Sequence, residues 1–178
     1  MNYGYLTDPG KVRDHNEDSV IIVKDMNNEV LLAVADGMGG HRNGEVASSI
    51  AISHIGKRFA DISSVGTKED AINFIKEIVS VGMGTTIVLA ILTNNFLLFG
   101  NIGDSSGYVI KNDKIHKVTT DHTLVNFLVK SGELTKEEAK EHPRKNVLMK
   151  ALGATNTVEM DVISIDEEVD GILLCSDG

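Results

Sequence analysis

The sequence predicts an α+β fold in which antiparallel sheets are covered by helices. Three observations support this prediction: short apolar runs are joined in pairs by polar turns, as in β-hairpins; amphipathic segments lie between these pairs; and strands and helices do not alternate one by one. The 178 residues contain neither an internal repeat nor a low-complexity linker, so we expect a single domain, 1–178.

Composition excludes several classes of function. The net charge of -9 and the pI near 5.1 argue against binding to nucleic acid or to an anionic membrane, because both need a basic face. The single cysteine, Cys175, excludes a disulfide framework, and no apolar run is long enough to cross a bilayer. The N-terminus has no signal-peptide pattern. We therefore expect a soluble cytoplasmic protein, and we expect it to be a monomer.

The first predicted hairpin suggests a metal site. Two apolar runs, one starting at Asp18 and one ending at Asp36, predict two strands joined by a polar turn. With Val23 opposite Val30, Asp18 faces Ala35, one residue from Asp36. Two carboxylates at one sheet edge are hard oxygen ligands that suit Mg²⁺ or Mn²⁺. Two solvated turn aspartates would give the same pattern, so the hairpin alone leaves both interpretations open.

Apolar periodicity and turn residues predict the remaining elements. Thr135 and Glu138 form a capping box for a short helix that Pro143 ends. Small helices interrupt the strands over about 123–153, which predicts a flap beside the site. The other predicted helices are 46–59, 68–79 and 124–131, and the predicted strands are 3–6, 18–23, 30–36, 85–92, 96–101, 108–110, 114–118, 158–162 and 171–175.

Acidic residues recur where strands or hairpins end. The four residues in such positions are Asp18, Asp36, Asp121 and Asp177. The six histidines show no paired ligand spacing and the cysteine stands alone, which argues against zinc. No nucleophile-elbow signature indicates a Ser-His-Asp hydrolase. The remaining interpretation of these acidic residues is an oxygen-ligated Mg²⁺ or Mn²⁺ centre.

Such a centre suits the hydrolysis of phosphate esters. This reaction needs accelerations of up to about 10²¹, whereas one general acid or base supplies about 10² to 10⁴. Two metal ions about 4 Å apart can clamp the phosphoryl oxygens and activate a water molecule. The planar guanidinium of Arg13 could hold the phosphate. A nucleotide-binding module built on the glycine loop 37–40 is an alternative, although no Gly-Lys-Ser/Thr follows that loop.

Eight ordered segments resemble the motifs of one family, the bacterial metal-dependent protein phosphatases of type 2C (PPM family). They extend from near the N-terminus to the last residue. The segments are VRDHNED (12–18), ADGMGGH (35–41), GEVAS (44–48), GMGTT (82–86), NIGDS (101–105), DHTLV (121–125), HPRKNV (142–147) and CSDG (175–178).

The resemblance implies a four-layer α/β/β/α sandwich of two antiparallel sheets flanked by helices. It also implies hydrolysis of phosphoserine and phosphothreonine in proteins by a water molecule that bridges two Mn²⁺ or Mg²⁺ ions. Arg13 would bind the substrate phosphate; Met38 stands where some relatives have histidine, and His41 is the candidate proton donor to the leaving group. The implied metal ligands are Asp36, which would bridge both ions, Glu17, Asp18, Asp177, the carbonyl of Gly37 and, for a third and weaker ion, Asp121.

Substrates would be phosphorylated Ser/Thr proteins, including a cognate bacterial Ser/Thr kinase. The family's motifs continue beyond Gly178 into a segment that supplies another metal-binding aspartate, so we expect this sequence to be a C-terminally truncated catalytic domain. The alternative is a catalytically silent domain that binds metal or regulates a partner.

Overall fold

The computed structural model describes residues 2–11, 14–38, 42–62, 65–78, 84–153 and 159–177. Within these ranges the chain forms eight strands and four helices. In chain order they are β1 (Asp18–Lys24), β2 (Val30–Asp36), α1 (Arg42–Asp61), α2 (Lys68–Glu77), β3 (Ile87–Leu92), β4 (Leu97–Ile102), β5 (Ser106–Lys111), β6 (Lys114–Lys117), α3 (Leu124–Lys130), α4 (Lys136–Glu141), β7 (Asp161–Ile165) and β8 (Gly171–Cys175).

The strands form two antiparallel sheets that pack face to face. One has five strands in the order β1-β2-β3-β4-β7, and the other has three in the order β6-β5-β8. β3 contacts both β5 and β8, and the apolar cluster between the sheets includes Leu32, Phe99, Val109 and Leu174. The predicted α+β fold of antiparallel sheets with flanking helices is confirmed.

Helices α1 and α2 cover the outer face of the five-stranded sheet. Leu31 and Ala33 of β2 pack on the helix side, whereas Leu32 between them packs against the second sheet, as the two-residue period of a strand requires. Phe59 of α1 and Phe74 of α2 meet edge to face with ring centroids 5.8 Å apart. Across the described ranges, no helix combines the length and apolar character needed to span a membrane.

The hairpin register differs from the prediction by one residue. Lys24, not Val23, pairs with Val30, so the connecting loop has five residues instead of six. The carboxylate of Asp25 sets this loop, because its Oδ1 accepts the backbone N–H of Asn27 and that of Glu29, each at 2.8 Å. The shorter loop moves Asp18 directly opposite Asp36.

Two further expectations about strands are wrong. The segment 3–6 is not a strand: it pairs with no strand in the described part of the chain, and Leu6 is 93% exposed. In α1 the buried residues include Ala47, Ala51, Ile55 and Phe59, which lie four apart, whereas Val46 and Ile50 are about half exposed. β7 starts at Asp161, so residues 159 and 160 of the predicted strand 158–162 precede it, and 158 lies outside the described ranges.

Residues 123–153 hold α3 and α4, and the segment rejoins the sheets at both ends. Thr123 pairs with Leu148, and Leu152 pairs with Thr85, just before β3. The predicted capping box at α4 is confirmed: the Thr135 N–H donates to Glu138 Oε2 at 2.7 Å, and the Glu138 N–H donates to Thr135 Oγ1 at 3.2 Å.

Candidate metal centre

The ends of β1 and β2 bring two carboxylates together. Asp18 pairs directly with Asp36, and directly paired residues of antiparallel strands project from the same face with Cβ atoms about 5 Å apart. The Gly37 N–H donates to the Glu17 carbonyl at 3.1 Å, which extends the pairing by one residue. Four of the predicted metal ligands therefore lie side by side on two neighbouring strand ends.

Hydrogen bonds hold the backbone of Asp36 from the β3 side. Its N–H donates to Thr86 Oγ1 at 3.1 Å, and its carbonyl accepts from the Thr86 N–H at 2.9 Å and from Thr85 Oγ1 at 2.8 Å. Thr86 Oγ1 is in turn 2.7 Å from Ser105 Oγ, in the loop after β4. Thr85, Thr86 and Ser105 thus fix the position of Asp36.

Asp177 reaches the same place from the other sheet. It follows β8, and the preceding Ser176 donates from Oγ to Asp18 Oδ2 at 2.7 Å. The side chains of Asp36 and Asp177 also share a hydrogen bond. The sequence singled out Asp18, Asp36 and Asp177 as acids at the ends of strands or hairpins, and the structure brings these three together.

This concentration of negative charge perturbs Asp36. Burial first, then the charge of Asp18 and the hydrogen bond and charge of Asp177, raise its pKa from 3.8 to about 8. The protonated Asp36 carboxyl donates to the Asp177 carboxylate, so the shared proton reduces the negative charge of the cluster. The cluster is therefore a place where a cation is strongly favoured.

Asp104 is a member of the cluster that the ligand prediction missed. It lies in the tight turn after β4, where Gly103 has a φ of +102°. Burial and the charge of Asp177 raise the pKa of Asp104, and Asp121 contributes in the same direction. Its sequence signal is the one that identified the others, an acid just beyond a strand end.

Asp121 lies at the edge of the cluster. Its Oδ1 accepts from Lys117 Nζ at 2.5 Å, and its backbone carbonyl accepts from Asn126 Nδ2 at 3.0 Å. Its charge acts on Asp104 and is not among the causes of the Asp36 shift. The structure therefore separates Asp121 from the Asp18–Asp36–Asp177 group, on the side nearer α3.

Two glycines let helix α1 approach the strand ends. A Cβ on Gly37 would lie 2.0 Å from the carbonyl oxygen of Gly44, and a Cβ on Gly44 would lie 2.8 Å from the carbonyl oxygen of Gly37 and 3.0 Å from Cδ of Glu17. The Glu17 side chain is buried, with 8% exposure, and Ser48 Oγ donates to the Glu17 carbonyl at 2.6 Å. The first turns of α1 therefore determine where Glu17 and Gly37 lie.

The residues present fit a hard divalent cation by their chemistry. Carboxylates from the ends of β1, β2 and β8 and from the loop after β4 give an all-oxygen donor set, which Mg²⁺ and Mn²⁺ prefer. Across the described ranges, no group of three or more His, Cys, Asp or Glu side chains is arranged to hold a metal ion as it stands. Arg13 and His41, predicted to bind phosphate and to donate a proton, lie outside the described residues.

Comparison with solved structures identifies the class of protein to which this fold and site correspond. A crystal structure titled as a bacterial serine phosphatase superposes with a TM-score of 0.87 at 35% identity, covering 97% of this chain and 76% of that one. The serine/threonine phosphatase Stp1 from Staphylococcus aureus superposes with a TM-score of 0.84 at 37% identity, covering 97% and 74%. The chain has the fold of bacterial phosphatases of this class.

Comparison with related sequences indicates the same class of protein as the solved structures. The pattern of the family described as "Protein phosphatase 2C" matches residues 11–178. The serine/threonine phosphatase stp of Listeria monocytogenes is 38% identical over all of this chain and 77% of its own length, and the protein phosphatase PhpP of Streptococcus pneumoniae is 33% identical over all of the chain and 78% of its own length. The chain belongs to the protein phosphatase 2C family.

Proposed function

We propose that this protein, a serine/threonine protein phosphatase of the 2C family, hydrolyses phosphoserine and phosphothreonine in proteins with two Mn²⁺ or Mg²⁺ ions bound at the acidic cluster. The observation that carries the proposal is the meeting of Asp18 and Asp36, paired on β1 and β2, with Asp177 from β8. Bound divalent ions would polarise the phosphoryl oxygens and lower the pKa of the attacking water.

Each ligand has a distinct task in this proposal. Asp36 would hold both ions, because it is central in the cluster and its backbone is fixed by Thr85 and Thr86. Asp177 would hold the second ion, and Asp121 would hold a third, more weakly bound ion. The remaining proposed ligands are Glu17, Asp18 and the Gly37 carbonyl.

Two residues act on the substrate instead of the ions. The Arg13 guanidinium holds the phosphate by two parallel hydrogen bonds, which lysine could not reproduce. His41 gives a proton to the leaving seryl or threonyl oxygen. Both assignments rest on the resemblance of the motifs that contain them.

The proposal also includes the flap, the substrates, the oligomeric state and the cellular location. The chain is one catalytic domain in which 123–153 acts as a flap, since α3 and α4 stand beside the cluster. The substrates are phosphorylated proteins, including a bacterial Ser/Thr kinase, and the enzyme works as a monomer in the cytoplasm.

The test is Mn²⁺-dependent release of phosphate from a phosphothreonine peptide by the full-length protein. We expect EDTA to abolish turnover and Mn²⁺ to restore it. Asp36→Asn should lower kcat/KM by more than about 10²-fold, because losing a ligand costs more than losing a residue that only supports one. Asp61→Asn, an exposed change at the end of α1, is the matched control and should leave turnover unchanged. EDTA-resistant turnover, or an active Asp36→Asn enzyme, would refute the proposal.

A further inference from the structure

A cleft of about 740 Å³ separates the acidic cluster from the α3–α4 segment. One wall carries Asp104, Asp121 and Asp177. The other carries three lysines, Lys136, Lys140 and Lys145, which are all exposed. The cleft is within the size range of sites that bind small ligands, and its two walls have opposite charge.

The spacing of charges along α4 produces the basic wall. Lys136, Ala139 and Lys140 line the cleft, which is one face of a helix because residues three and four apart lie together. The glutamates of α4 do not line it. Glu138 is instead held back by Thr135 in the capping box. The sequence KEEAKE therefore presents its lysines to the cleft and its acids elsewhere.

The three lysines are available for a ligand. Among the described residues, none of these three lysines has an ion-pair partner within 4 Å, whereas Lys117, which does not line the cleft, is paired with Asp121, which does. The protein as a whole has a net charge of -9. An acidic peptide would be repelled by most of the surface, and this wall is a local exception.

We propose that Lys136, Lys140 and Lys145 bind anionic groups that flank the phosphorylated residue, so that the preferred substrates are acidic or multiply phosphorylated segments. The inference rests on the proposed function, because it places the reacting phosphate at the acidic wall and the rest of the segment across the cleft. Lysine ammonium groups are compact point charges without the fixed fork of arginine. The wall therefore accepts carboxylates and second phosphates alike.

The test compares four substrates of the full-length protein with Mn²⁺. They are one phosphothreonine peptide with flanking glutamines, the same peptide with flanking glutamates, the same peptide with a second phosphothreonine, and p-nitrophenyl phosphate. We expect kcat/KM about five- to ten-fold higher for the two anionic peptides than for the neutral one, mostly through KM, since exposed pairs are individually weak. The advantage should shrink as salt rises.

Two triple variants with equal charge change separate a local from a global effect. The cleft variant is Lys136→Gln/Lys140→Gln/Lys145→Gln, and the control replaces three exposed lysines outside the cleft, Lys24→Gln/Lys57→Gln/Lys114→Gln. We expect the cleft variant alone to lose the preference for anionic peptides, measured as kcat/KM relative to the neutral peptide and to p-nitrophenyl phosphate in the same variant. A higher kcat/KM for the peptide with flanking glutamates, or for the peptide with a second phosphothreonine, supports the proposal. The peptide that gains shows whether the lysines bind carboxylates or phosphates. Equal loss in both variants, or no preference in the wild-type enzyme, would overturn it.

A binding measurement distinguishes failure of this inference from failure of the proposed function. Fluorescence anisotropy with a non-hydrolysable phosphonate analogue of the glutamate-flanked peptide needs no turnover. Binding that weakens five- to ten-fold in the cleft variant alone supports the lysine wall, even if none of the four substrates is hydrolysed. Binding that is equal in all three proteins contradicts the wall, whatever the activity.

Discussion

His122 connects the loop that carries Asp104 to β7 through its two ring nitrogens. Nδ1 accepts the backbone N–H of Gly103 at 3.1 Å, so this nitrogen carries no proton. Nε2 therefore bears the proton and donates to Asp161 Oδ2 at 3.0 Å. Burial acts to raise the pKa of Asp161, but the hydrogen bond from His122, together with Lys150, outweighs it and lowers that pKa below its ordinary value.

This pair of contacts predicts the effect of the substitution Asp161→Asn. Because the folded-state pKa of Asp161 is lowered, its ionised form stabilises the fold above about pH 3.8, and this contribution is lost as the pH falls through the lower folded value. We expect the variant to be less stable at pH 7 by up to about 1 kcal/mol, since the side chain is partly exposed. Urea unfolding at pH 7 and pH 3 measures the difference, which should be smaller at pH 3. A difference that does not depend on pH would show that the carboxylate charge is irrelevant.

The residues of the site differ in whether they could be predicted from the sequence. Asp18, Asp36 and Asp177 were identified because each lies where an apolar strand begins or ends, a purely local signal. Asp104 carries the same signal but was not proposed as a ligand, since its closeness to Asp177 depends on how the two sheets pack. Asp121 was grouped with the others by the same rule, yet it contacts Lys117 and lies at the edge.

At the scale of elements, strand identity was predictable and register was not. The bounds of β8 and nearly all of β1 and β2 follow from apolar runs bounded by polar residues. The register depended on a side chain, the Asp25 carboxylate, that binds the loop backbone. In α1, apolar pairs four residues apart define a stripe, but only packing decides that Ala47 and not Val46 faces the sheet.

Helix α1 offers a prediction about its fit against the strand ends. In an isolated helix Gly44→Ala would be stabilising by about 1 kcal/mol. Here the new methyl group would meet the backbone of Gly37 and the side chain of Glu17, and such overpacking typically costs about 1–3 kcal/mol. We expect Gly44→Ala to weaken Mn²⁺ binding by about ten-fold or more, measured by isothermal titration calorimetry.

The control lies in the same helix. A Cβ on Gly56 would meet Cδ1 of Ile21, the mobile end of a side chain distant from the acidic cluster. Gly56→Ala should therefore leave Mn²⁺ affinity unchanged, whatever it does to stability. Equal affinity in both variants would show that the contact between α1 and Gly37 does not position the ligands.

At the scale of the whole molecule, the acidic cluster joins the two sheets. Asp18 and Asp36 end strands of the five-stranded sheet and Asp177 follows β8 of the three-stranded one, so a cation bound by all three would connect them. Ligand binding to the folded state alone adds about 2.7 kcal/mol of stability at 100 times Kd. For a protein of this size each 1 kcal/mol raises Tm by roughly 2–4 °C. We expect saturating Mn²⁺ to raise Tm by about 5–10 °C in a thermal-shift assay.

Asp36→Asn distinguishes a metal ligand from a residue that only supports the fold. The two roles predict different effects on Tm in EDTA and on the Mn²⁺-induced rise in Tm. Asparagine is neutral, like the protonated Asp36, and its amide can still donate to Asp177, so Tm in EDTA should equal or exceed that of the wild type. The Mn²⁺-induced rise should be lost, because the central carboxylate of the proposed site is gone. A variant that melts several degrees lower in EDTA, yet keeps the Mn²⁺ shift, would mean that Asp36 supports the fold and that the ions bind elsewhere.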